Sequence, residues 1–187
     1  MLALKTMISS FFQHVQDHRI EVYNEFSLQH ELGIYLRERL PQYKVQFERN
    51  VSYFSSQSST IKKEIDISIF TKDYTEKYAI ELKCPLKGQY PEQMYSFVKD
   101  IKFMEQLKAL GFAKTACVAL VSDKPFYQGT NNRGIYKFFR EEYAVYGNIY
   151  KPTGSGKDEE SISLSGSYAI DWKDLNAQSK FYIVEIE

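Results

Sequence analysis

Apolar and polar positions along the chain repeat with two different periods, and the changes between them mark out the elements. Residues 3–20 space their apolar side chains as one face of a helix. In "NEFSLQHELGIYLRERLPQY" the residues Phe26, Leu28, Leu32, Tyr35, Leu36 and Leu40 fall mostly on one face, with Asn24 as N-cap and Pro41 as the stop. The period then drops to two. "KVQFERNVSYF" sets Val45 and Phe47 against Gln46 and Glu48, and "EIDISIF" (64–70) and "KYAIELKC" (77–84) alternate again. The polar turn "SSQSST" (55–60) and the turn formers of "KDYTE" separate these strands. A long helix follows over 88–112, with Pro91 near its first turn and Gly111 at its end. "TACVALVS" (115–122) is almost unbroken in apolar residues, the pattern of a strand buried on both faces.

Beyond Ser122 the pattern predicts a short helix within 131–143, a loop over 151–161, and strands in "SISLSGSYAIDW" and "KFYIVEIE". There is no internal repeat. Helix, three strands, helix and strand predict an α/β fold in which a central mixed β-sheet is flanked by helices. One domain, 1–187, accounts for the whole, with a core over about 24–122 and extra C-terminal strands in 123–187.

Composition narrows this little. At 187 residues the chain can bury a core without disulfide staples. Twenty-four basic side chains balance twenty-four acidic ones, so no global field draws a polyanion; cations that do so must be gathered locally. Cys84 and Cys117 lie in apolar runs and read as buried free thiols of a reducing compartment. No apolar run is long enough to cross a membrane and the first residues lack a signal-peptide pattern, so the expected location is the cytoplasm.

The charged residues inside the strands change the picture. Alternation puts Glu64, Asp66 and Ser68 on one face and Ile65, Ile67 and Ile69 on the other. It likewise puts Glu81 and Lys83 opposite Ile80, Leu82 and Cys84. If the two strands pair, Asp66 and Glu81 meet with Lys83 beside them. Exposed ion pairs on a sheet edge would explain this too, at a worth of about 0–1 kcal/mol. Two carboxylates held close, however, repel unless a cation lies between them. A hard divalent ion is the natural one: Mg²⁺, or Mn²⁺ in its place. Such an ion activates water and offsets phosphate charge, while a neighbouring lysine orients the water. His14 and His18 share a helix face without a third ligand, and "TGSGKD" misses the spacing of a phosphate-binding loop, so both read as surface features.

Asp66, then fourteen residues, then Glu81-Leu82-Lys83, on strands in this order, resembles the PD-(D/E)xK nuclease superfamily with its restriction-endonuclease-like core. The residue before the Asp is Ile65 where the pattern has Pro. The resemblance covers about 24–122. It implies that Asp66 and Glu81 bind Mg²⁺ and that Lys83 assists the attacking water. It also implies a third carboxylate from the preceding helix, for which Glu31 in "LQHELG" is the candidate. A polar residue early in the following helix would join them, for which Gln93 in "YPEQMY" fits. The implied function is metal-dependent hydrolysis of phosphodiester bonds in DNA, in preference to RNA. The alternative is a noncatalytic nucleic-acid-binding or assembly module on the same fold. Lys62, Lys63, Lys87, Lys99, Arg133, Lys137 and Arg140 are candidate phosphate contacts, Tyr and Phe of "KPFYQG" and "IYKFF" candidate base-stacking groups, and a homodimer fits an enzyme that cuts both strands.

Overall fold

The two strands that carry Asp66 and Glu81 are neighbours in one sheet. The computed structural model describes residues 1–56, 59–85 and 87–187; residues 57 and 58 of the expected 55–60 turn lie outside them. Two helices, α1 (Leu4–Gln16) and α2 (Glu25–Arg39), precede the strands β1 (Lys44–Asn50), β2 (Glu64–Phe70) and β3 (Lys77–Lys83). The long helix α3 (Tyr90–Ala109) leads to β4 (Lys114–Val121), and the short α4 (Tyr136–Arg140) to β5 (Ala144–Tyr150) and β6 (Ser161–Ala169). β7 (Lys173–Asp174) and β8 (Lys180–Ile186) end the chain. Six strands form a mixed sheet in the order β1-β2-β3-β4-β8-β7, with β3 and β4 parallel and the other pairs antiparallel. β5 and β6 form a separate hairpin.

Local chemistry accounts for the element ends. Asn24 Oδ1 accepts the Ser27 N–H at 2.8 Å while Ser27 Oγ accepts the Asn24 N–H at 3.0 Å, a reciprocal cap that starts α2. Pro91 lies in the first turn of α3, and Gly111, at φ +85°, takes the left-handed conformation just past its end.

The sheet buries both faces. Ile67, Ile69, Tyr78, Ile80 and Leu82 pack under α1 and α2 with Phe11, Leu28, Leu32 and Leu36. On the other face Ala79, Cys117 and Ala119 meet Phe97, Ile101 and Met104 of α3, which Val145, Ile162 and Leu164 of the hairpin cover in turn. Cys117 is a buried and Cys84 a half-buried free thiol. Among the described residues no helix is long and apolar enough to cross a membrane.

Several expectations need correction. The first helix stops at Gln16 because His18 turns left-handed at φ 57°. The helix expected within 131–143 covers only Tyr136–Arg140. β5 was not expected; Gly147, at φ +69°, lies where its register with β6 shifts and breaks the alternation. Phe26, assigned to the apolar face of α2, is 73% exposed. Ile65 does not join Ile67 and Ile69 but packs with the α3 layer, so β2 changes face at Asp66.

Gly33 sets how closely α2 approaches β1: a Cβ there would overlap the Phe47 ring. Gly33→Ala is therefore expected to cost about 1–3 kcal/mol by overpacking. In thermal denaturation each kcal/mol should lower the midpoint by about 2–4 °C for a chain of this size. An unchanged midpoint would show that Phe47 can move aside and that the contact does not set the helix position.

Candidate active site

β2 and β3 part where the two expected carboxylates face each other. Their last matched pair is Ile67 with Ile80, so Asp66 stands opposite Glu81 one step further on. There side chains replace the backbone ladder. Glu81 Oε1 accepts the Asp66 N–H at 3.2 Å, and Asp66 Oδ2 accepts the Leu82 N–H at 2.7 Å. Each carboxylate is thus tied to the main chain of the other strand. On the far side of β2, Glu48 of β1 takes φ 49° and the regular pairing skips it, which frees the Asp66 carbonyl. Gln29 of α2 donates Nε2 both to that carbonyl, at 2.9 Å, and to Glu48 Oε1, at 2.6 Å. The two carboxylates therefore flank the gap between splayed strands, Asp66 on the α2 side and Glu81 on the α3 side, and do not share one flat face as simple alternation predicts.

Asp66 opens on a cavity of about 280 Å³ under the start of α2, lined also by Glu25, Phe26, Gln29, Glu48 and Leu82. Glu81 turns toward α3 and is fully buried. Its partner is Lys62, from the segment just before β2, whose Nζ also donates to Asp100 Oδ1 of α3 at 3.0 Å. Two hydrogen bonds hold that segment: Ile61 N–H to Gln106 Oε1 at 2.8 Å, and Thr60 Oγ1 to Lys62 O at 2.6 Å. Lys83 Nζ lies 3.6 Å from Asp100 Oδ2 and 3.7 Å from Glu25 Oε1, and donates to Leu82 O at 3.0 Å. Glu25 Oε2 in turn accepts the Cys84 N–H at 2.9 Å.

The structure thus brings Asp66, Glu81 and Lys83 together and adds Glu25, Asp100 and Lys62. It does not bring Glu31. Gln29 reaches Asp66, and Glu31, two residues on, points about 200° away around the helix. Glu31 is half-buried, with no side-chain hydrogen bond or ion pair among the described residues, so the expected closeness to Asp66 is corrected; Glu25 is the α2 carboxylate that reaches the cluster. Gln93 lies two turns before Asp100 on α3, partly buried, and makes no side-chain hydrogen bond to the cluster among the described residues. Of the candidate phosphate contacts, Lys62 is spent on Glu81 and Asp100, and Arg140 on the carbonyls of Pro125 and Asn131.

Four carboxylates against two ammonium groups leave a formal charge of −2, with Glu81 and Asp100 buried and Glu25 at the exposed rim. The titrations follow. Burial pushes Asp66 up from 3.8 to about 6, against the Leu82 N–H and the two lysines that favour its charged form. Burial, then the neighbouring Asp66 and Asp100, raise Glu81 well above the ordinary range, and burial raises Asp100. Burial alone would lower Lys83, but Asp100 and Glu25 outweigh it and hold it above its usual value as an ammonium. Such a site attracts a further cation. Mg²⁺ needs only one or two carboxylates and completes its shell with water and phosphate oxygens, and Asp66 and Glu81 offer hard oxygen donors of that kind. Among the described residues no three His, Cys, Asp or Glu side chains converge as a closed cage.

Asp100 escaped the sequence reading although it left a signal. It falls on the apolar face of α3, three positions after Phe97 and four before Met104, where an acid is costly unless paired. Compared with protein-family models, with curated proteins and with solved structures, the chain finds no match.

Proposed function

We propose that the chain is a divalent-metal-dependent nuclease of the PD-(D/E)xK type on a restriction-endonuclease-like core, hydrolysing phosphodiester bonds in DNA in preference to RNA. One observation carries the reading. Asp66 and Glu81, from neighbouring strands, are gathered in a strand gap with the Lys83 ammonium close by, beside an open cavity. Mg²⁺ or Mn²⁺ held by Asp66 and Glu81 would supply charge against the phosphate and activate water. The protein's own groups do the rest. Held as an ammonium by Asp100 and Glu25, Lys83 is no proton acceptor at neutral pH. It donates hydrogen bonds, orienting the water and stabilising the anion that grows as the new P–O bond forms and the ester P–O bond breaks.

Glu25 is then a positioning residue. Glu25→Gln should lower cleavage by about 10–100-fold, the usual cost of losing an outer partner of such a site, while Glu31→Gln should leave it unchanged. Equal losses in both variants would mean that Lys83 is positioned by something other than Glu25. The function itself is tested by incubating single- and double-stranded DNA and RNA with the protein and Mg²⁺ or Mn²⁺, with chelator as control. Metal-dependent cutting supports the reading. The reading includes a cytoplasmic location with nucleic acid as partner, and homodimerisation if both strands of a duplex are cut.

A second reading, a noncatalytic nucleic-acid-binding or assembly module, is favoured by a different observation: Lys62 already compensates Glu81 and Asp100 from within the chain. It becomes the better account if no substrate is cut while nucleic acid or a protein partner binds wild type and Asp66→Asn equally.

A further inference from the structure

Lys62 Nζ occupies a place with the donor chemistry of a metal position. It donates to two carboxylates, Glu81 and Asp100, whose side chains are 0% and 4% exposed, while its own is 29% exposed. Asp100 Oδ1 takes the lysine at 3.0 Å. Asp100 Oδ2 is buried with no hydrogen-bond donor among the described residues, and the Lys83 ammonium stands off at 3.6 Å. An unpartnered carboxylate oxygen in so dry a place is costly, and ordinary core packing does not call for one. Asp100 therefore holds one oxygen on the Lys62 ammonium and leaves the other without a donor among the described residues.

We propose that the seat of Lys62 Nζ is a divalent-cation position whose carboxylates are Glu81 and Asp100, and that the lysine and the ion compete for it. This deepens the nuclease reading and rests on it for the class of ion. The charge favours exchange: with Lys62 seated the cluster stands at −2, and with a divalent ion in its place and the lysine swung into solvent it stands at −1. The exposed flank of Lys62 gives its ammonium a way out without unfolding the segment. Without the ion the lysine keeps both buried carboxylates compensated. Losing one partner of such a pair is far costlier than never having buried it.

The test is Mn²⁺ binding to the nucleic-acid-free protein by calorimetry. Lys62→Gln should bind Mn²⁺ at least about ten times more tightly than wild type. A unit charge at this range in a partly buried site outweighs the roughly 1.4 kcal/mol that a factor of ten requires. Asp100→Asn in the Lys62→Gln background should remove that gain. A second measurement needs no variant: acetylation of lysines in the wild type, read by mass spectrometry. Saturating Mn²⁺ should raise the labelling of Lys62 several-fold. It should leave Lys114, paired with Glu185 and Glu187 at the start of β4, unchanged. The proposal is overturned if Lys62→Gln binds Mn²⁺ no more tightly, if the gain survives Asp100→Asn, or if Lys62 labelling does not respond. Should Lys62→Gln fail to fold, the wild-type labelling decides alone. Cleavage with an unresponsive Lys62 sinks the competition and spares the nuclease reading; competition without cleavage does the reverse.

Discussion

Asp66→Asn and Glu81→Gln are expected to abolish metal-dependent cleavage, and Lys83→Ala to lower it by about 10²–10³-fold, the usual cost of removing one donor from a developing anion. The amide variants are the right ones here. Asp66 Oδ2 accepts the Leu82 N–H and Glu81 Oε1 the Asp66 N–H, so alanine at either position would also leave a buried donor unmet. An amide keeps one acceptor oxygen for that N–H and loses the charge; at Glu81 its NH₂ also replaces the oxygen that accepts from Lys62 Nζ. Loss of cleavage with a folded protein and weakened Mn²⁺ binding then points to lost ion ligation and not to unfolding. Lys83→Ala should not weaken Mn²⁺ binding and should tighten it, because its ammonium repels the ion instead of holding it. The cleavage rate is measured on the best substrate of the panel, with circular dichroism as the folding control. Cutting that persists unchanged in Asp66→Asn would mean another active site.

The second large effect is on stability, with the sign set by Asp66. In the folded protein its carboxyl titrates at about 6, against 3.8 for an ordinary aspartate. Between those values the folded state binds more protons than the unfolded chain, so stability falls as pH rises through that window, and the cost is complete above it. The rise corresponds to a cost of up to about 3 kcal/mol. Asp66→Asn removes it. Without metal the variant should be the more stable protein at pH 7.5, and the difference should vanish toward pH 4. Urea denaturation in chelator at both pH values measures this. A variant less stable than wild type at pH 7.5 would show that the Leu82 hydrogen bond to the charged carboxylate outweighs the burial. Mg²⁺ should raise the wild-type midpoint by more than that of Asp66→Asn, which keeps Glu81 and Asp100 but has lost one carboxylate, by ordinary linkage of binding to folding.

Asp66, Glu81 and Lys83 could be found from the chain alone because strand alternation is local. An acid between isoleucines in "EIDISIF" is anomalous whatever packs around it, and the antiparallel pairing of the two strands brings Asp66 opposite Glu81. Asp100 was legible in principle for the same reason, as an acid on the apolar face of α3. Glu31 failed because a helical period gives faces but not the azimuth at which a helix meets a sheet. In the folded chain α2 lies with Gly33 against the Phe47 ring and with Glu25 and Gln29, not Glu31, toward the Asp66 cluster. Ile65 failed because alternation assumes an unbroken strand, whereas the irregularity at Glu48 and Asp66 switches its face.

From its order of residues alone the chain dictated most of its helices and strands, its buried β4 and its α/β class, since caps, turn formers and periodicity act between near neighbours. Tertiary packing alone decided that Lys62, from before β2, and Asp100, from the middle of α3, would close on Glu81, and that the β5–β6 hairpin would cover α3 instead of extending the sheet. Those partners lie far apart along the chain, and which of several available charges fills a buried gap depends on distances and burial that no local pattern encodes.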